Sequence, residues 1–127
     1  MSGDSPAVLV DAENVRRSVW PNVAPDELVE LCAGWAATEG CRALIVFDGS
    51  APTLELGEAD SVELVATGAG SADDWIAREA EALRRRGATY WLVTSDRELR
   101  TRAGSGAART IGGGTFARTI LGRRSDE

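Results

Sequence analysis

The chain of 127 residues contains neither histidine nor lysine; all fourteen basic residues are arginine. Without histidine there is no Ser-His-Asp triad, no Cys-His pair and no histidine zinc site. Without lysine there is no phosphate-binding loop of the Gly-Lys type and no Schiff-base or lysine-base chemistry. Cysteine is scarce as well. Cys32 and Cys41 fit neither a CxxC motif nor a zinc spacing, and both read as reduced, buried core residues. No apolar run approaches the ~20 residues that span a membrane. The opening Met-Ser-Gly-Asp-Ser-Pro has no basic, apolar or cleavage-site region, so a cytoplasmic location is expected. Proton and metal chemistry is left to carboxylates, with Tyr90 and the two thiols behind them.

The length suits one domain over residues 1–127, with an ordered core at about 7–121 and fraying at 1–5 and 122–127. The net charge of −6 conceals an asymmetry. Residues 1–83 hold sixteen acids against four arginines, and residues 84–127 hold four acids against ten arginines. Such a division suits a polyanion whose metal-bound part lies at the acids. The run Arg84-Arg85-Arg86 by itself is better read as complementing a helix C-terminus.

Strand and helix signals alternate. Strands are expected at Ala7–Val10, Arg42–Phe47, Val62–Ala66, Thr89–Val93 and, weakly, Ala108–Ile111. A short helix begins at Glu13 and is limited by Pro21. A longer one starts at Pro25-Asp26-Glu27 and stops at Gly40. Ser71 caps the next, which Gly87 closes; short helices follow at Asp96–Ala103 and Thr115–Leu121. Residues 48–60, with Gly49, Pro52 and Gly57, read as a loop. The alternation predicts a three-layer α/β/α sandwich around a mainly parallel sheet with right-handed crossovers.

Three apolar runs end in aspartate: Asp11, Asp48 and Asp96. A fourth acidic pair, Asp73-Asp74, follows Ser71 in the first turn of a helix. The carboxyl ends of parallel strands share one edge, where ligands bind. Singly, these acids are turn residues or helix caps. Together they are explained by one divalent cation, and oxygen-only ligands select Mg²⁺ or Mn²⁺ rather than zinc. Such an ion activates water without a side-chain base.

These same segments resemble the NYN domains of the PIN-like nuclease superfamily, particularly the YacP-like branch. Val8-Leu9-Val10-Asp11-Ala12-Glu13-Asn14 is similar to the opening strand with its D-x-x-N motif, and Val46-Phe47-Asp48-Gly49 to the second-strand signature. Ser71-Ala72-Asp73-Asp74-Trp75-Ile76 and Val93-Thr94-Ser95-Asp96 resemble the S/T-x-A-D-x-x-I and T-S-D motifs. The resemblance implies a five-stranded sheet in order 3-2-1-4-5. It also implies metal-dependent endonucleolytic cleavage of RNA to 5′-phosphate and 3′-hydroxyl ends, and in many relatives a homodimer. Free, structured and ribosome-associated RNA all remain open as substrates. Asp11, Asp73 or Asp74, and Asp96 would hold the metal, with Asp48 a further acidic or structural member. Asn14 would orient Asp11 or touch substrate. Arg16, Arg17, Ser95, Arg97 and Arg100 would contact RNA. Trp20 either stacks a base or packs, whereas Trp35, Trp75 and Trp91 are expected in the core.

Two departures stand out. Ala12 replaces a common glycine, and Arg100 occupies a position where some relatives carry aspartate. They keep a non-catalytic RNA-binding module open as an alternative. A phosphatase or phosphotransferase with Asp11 as nucleophile is the other, although that chemistry relies on the lysine this chain lacks.

Overall fold

A computed structural model describes residues 5–53 and 61–125. Residues 54–60 of the expected loop, with Gly57, and the ends 1–4 and 126–127 lie outside the described residues. The strands are β1 (Ala7–Asp11), β2 (Arg42–Phe47), β3 (Val62–Ala66), β4 (Tyr90–Val93) and β5 (Arg109–Ile111). The helices are α1 (Ala12–Arg17), α2 (Pro25–Glu39), α3 (Ala72–Arg85), α4 (Arg97–Ala103) and α5 (Gly113–Ser125). All strands pair in parallel in the order β3-β2-β1-β4-β5, with helices on both faces. This is the strand order that the resemblance implies.

The near-continuous apolar runs of β1 and β2 follow from burial on both faces. Val8 and Val10 face a core built with Leu28, Cys32 and Trp35 of α2 and Phe116 and Ile120 of α5. Ala7 and Leu9 face Ile76, Ala80 and Leu83 of α3 and Leu99 of α4. Period-two alternation thus sends successive residues of one strand to opposite helical layers. Cys32 and Cys41 are free and buried in the first of these cores. Trp35 stacks edge-on against Phe116 at 4.9 Å between ring centres.

Helix ends follow the expected chemistry. Ser71 accepts the Asp74 N–H at 3.0 Å, and Gly40 closes α2 at a φ of 71° that a side chain would resist. The C-terminal helix departs from expectation. It starts at Gly113 rather than Thr115 and continues through Ser125 rather than fraying after Leu121. Its glycines hid its first turn, whereas Phe116, Ala117 and Ile120 anchor it to the core.

The Tyr90 hydroxyl donates to the Ala103 carbonyl at 2.7 Å in the interior. Tyr90→Phe strands that carbonyl and is expected to cost about 1–2 kcal/mol in urea unfolding, with an unchanged m-value.

Candidate functional site

The sheet order places β1 beside β4, the point at which the direction of strand addition reverses and a crevice opens. Val10 lies opposite Val93, so Asp11 and Thr94 leave the sheet side by side. Around them lies an open pocket of about 470 Å³ lined by Asp11, Glu13, Asn14, Arg17, Ser18, Asp48, Asp73, Ser95 and Asp96.

Asp11 is the most enclosed of these acids, only 6% exposed. The Thr94 hydroxyl, itself buried, donates to its Oδ2 at 2.9 Å. The same hydroxyl oxygen accepts the Asp96 N–H at 3.1 Å. Thr94 therefore ties the end of the central strand to the start of α4. Asp96 also accepts the Leu99 N–H at 3.1 Å and so caps that helix. Burial is the main reason the Asp11 carboxyl titrates at about 6 instead of 3.8; the charges of Asp73 and Asp48 add to it, and the Thr94 bond opposes it. Asp73 is raised too, by partial burial first and then by Asp96 and Asp48.

Asp73 and Asp74 part company. Asp73 lines the pocket, while Asp74 is exposed and pairs with Arg102 at 2.9 Å, which lowers its pKa. Asp48 lines the pocket and accepts the Ala72 N–H at 2.7 Å, bridging the end of β2 to the start of α3. Among the described residues no three acidic, histidine or cysteine groups stand together as a ready-made ion cage. The arrangement is an open ring of carboxylates.

Asn14 is a clamp. Its Oδ1 accepts the Ser95 N–H at 2.9 Å, and Ser95 Oγ accepts the Gly113 N–H at 2.8 Å. A β-carbon on Gly113 would lie 2.2 Å from Asn14 Oδ1, so glycine is required for this approach. Ala12 is fully buried as the first residue of α1.

The arginines divide. Arg17 lines the pocket and reaches Glu13 at 3.4 Å. Arg16 donates to the Val23 carbonyl at 2.7 Å and to Glu13 at 2.7 Å. Arg100 donates to the Thr94 carbonyl at 2.9 Å. Arg97 is exposed and is not among the lining residues. Three lining or supporting residues went unremarked as site members in the sequence: Glu13, hidden inside the D-x-x-N segment, Ser18 just past it, and Thr94, whose role depends on strand register.

A family model described as the YacP-like NYN domain matches residues 10–124. The fold is similar to two crystal structures of Rae1 (YacP) from Bacillus subtilis. One, of a point mutant, has a TM-score of 0.70 at 20% identity, over 95% of this chain and 78% of that one. The other has a TM-score of 0.69 at 25% identity, over 94% and 77%. No functionally curated protein matches significantly.

The buried charge at Asp11 has a stability consequence. Between 3.8 and about 6 the folded state holds a proton that the unfolded state has lost, so stability falls as pH rises through that window. Asp11→Asn is therefore expected to stabilise the metal-free protein at pH 7 by up to about 3 kcal/mol. Thermal melts in chelator from pH 3.5 to 7.5 should show that gain shrinking to nothing at the acid end.

Proposed function

We propose, on the premise that this chain belongs to the YacP-like NYN domain family of PIN-like nucleases, that it is a Mg²⁺- or Mn²⁺-dependent endoribonuclease. The observation that carries this is the open pocket at the β1/β4 crevice, which Asp11, Asp48, Asp73 and Asp96 line with no histidine, lysine or cysteine beside them. The donor set fits a hard cation, since every donor is oxygen. The raised Asp11 carboxyl points the same way, because burial leaves its charge without a neutralising partner from the protein.

Asp11, Asp73 and Asp96 would hold the ion, with Asp48 facing it from the end of β2. When bound, the ion would supply charge neutralisation at the phosphate and a more acidic water. Cleavage breaks the bond between phosphorus and the 3′ oxygen. Water gives its hydroxyl to phosphorus and its proton to the departing oxygen, leaving 5′-phosphate and 3′-hydroxyl ends. Thr94 aims the Asp11 carboxylate, and Asn14 fixes the Ser95 peptide beside Asp96. Arg17, on the pocket lining, is placed to meet a phosphate. Arg16 and Arg100 support their own loops instead. We extend the family reading to free or ribosome-associated RNA as substrate, a cytoplasmic setting and a homodimer.

A second reading has a specific observation behind it. Arg100 spends its Nε on the Thr94 carbonyl, in place of an acid that some relatives carry there, which leaves fewer carboxylates near the ion. This favours a non-catalytic RNA-binding module. A phosphotransferase using Asp11 finds no lysine to support it.

Manganese calorimetry and cleavage of a labelled RNA separate these readings. The nuclease reading expects ion binding and cleavage that is lost by about 100-fold or more in Asp96→Asn. Asparagine caps as well as aspartate, so this variant should keep its metal-free stability to within about 0.5 kcal/mol. RNA binding without cleavage at any tested ion concentration would establish the module instead.

Thr94→Val should weaken manganese binding by about 10–100-fold, and Thr94→Ser should restore most of it. Equal affinities in all three proteins would remove Thr94 from the site.

A further inference from the structure

Beyond the acidic pocket, the loop after α1 carries the one large hydrophobic side chain that is exposed among the described residues: Trp20, at 88%. The loop itself is strapped down. Arg16 and Val23 exchange two hydrogen bonds, Val23 N–H to the Arg16 carbonyl at 3.1 Å and Arg16 Nε to the Val23 carbonyl at 2.7 Å. The Ser18 hydroxyl donates to the Val15 carbonyl at 2.6 Å, and Val19 and Val23 pack on the core. A rigid backbone therefore holds a bare indole in water.

Two hollows abut along this segment. Arg17 and Ser18 line the acidic pocket. The next residues, Val19 to Val23, line a second hollow of about 260 Å³ with Glu27 and Leu121. A strand with a phosphate at Arg17 would bring its neighbouring base toward Trp20. The composition gives a reason for such a contact: the net charge of −6 and the ring of acids oppose a polyanion, so long-range attraction does not hold RNA here. Stacking on an aromatic face works without net charge and tolerates any base.

We propose that Trp20 and the adjoining hollow form a base-stacking subsite for single-stranded RNA leaving the acidic pocket past Arg17. This rests on the nuclease reading for its direction, since the pocket supplies the continuity. Val19, Pro21 and Asn22 line the hollow beside Trp20, which gives it both apolar surface and an amide.

The test uses a labelled, mixed-sequence single-stranded RNA of about 8 nucleotides, bound in calcium buffer and followed by anisotropy. Trp20→Ala should weaken binding by roughly 10–100-fold, with Trp20→Phe recovering most of the loss. That loss should be the same at about 50 and 200 mM salt, because stacking releases no counterions. The melting temperature should not move, since the ring is exposed. In cleavage assays with manganese the loss should fall on KM more than on kcat.

Equal binding by the alanine variant, or a loss that grows as salt falls, overturns the subsite. So does a Trp20→Ala change from dimer to monomer in sedimentation, which would assign the ring to contact between copies. Cleavage by wild type with indifference at Trp20 removes the subsite and leaves the nuclease. Trp20-dependent binding without cleavage does the reverse, and no RNA binding by wild type overturns the subsite.

Discussion

A carboxylate buried at the end of the central strand, with other carboxylates around it and no ion pair of its own among the described residues, sets the terms for everything around it. Asp11 lies at the β1/β4 crevice because the parallel sheet ends there, and it is enclosed because α3 and α4 cover that face. Enclosure raises its pKa to about 6 and makes its charge costly. The protein offsets this in part with the Thr94 hydroxyl and the Asn14 backbone N–H, neither of which carries charge. A fold that kept Asp11 for structure alone would do better with a neutral residue, which is why the arrangement speaks for an ion supplied from outside.

The supports around Asp11 are polar links between chain ends rather than packed surfaces. Thr94 joins β1 to the start of α4, Asp48 joins β2 to the start of α3, and Asn14 with Ser95 joins α1 to the start of α5. Asp11 and Asp48 are thus fixed by a hydroxyl and a backbone amide reached across the crevice, while Asp96 is held by the helix it caps. Fixing the backbone while leaving carboxylate oxygens toward the pocket is what an ion site with an open coordination position requires.

Much of this was legible in the sequence because strand burial is continuous in a parallel sheet. An apolar run that stops at a charge marks a strand end, so Asp11, Asp48 and Asp96 could be placed at one edge before any coordinates. The choice between Asp73 and Asp74 was not legible. Neighbouring helical residues point about 100° apart, and only the position of Arg102 on α4 decides which carboxylate it takes. The start of α5 was missed for a related reason. Gly112-Gly113-Gly114 reads as a loop, yet Gly113 opens the helix with its N–H held by Ser95 Oγ, a contact between residues far apart in sequence.

The arginines give the least predictable part of the chain, and they change how recognition works. The charge division suits a polyanion, but much of the positive charge of the C-terminal third is engaged by other groups of the protein. Arg84 and Arg85 pair with Glu81, Arg102 with Asp74, Arg100 holds a carbonyl, and Arg109 lies 4.5 Å over the Trp91 ring. Exposed pairs of this kind contribute little stability, yet each lowers the positive field that a phosphate would meet. With its cations so engaged and its pocket acidic, this protein has little long-range attraction for RNA. On the proposed reading, affinity comes from short-range contacts, an ion at the carboxylates and the Trp20 face beyond them. Such contacts favour strands whose bases are already unpaired, because a duplex keeps its bases stacked on one another.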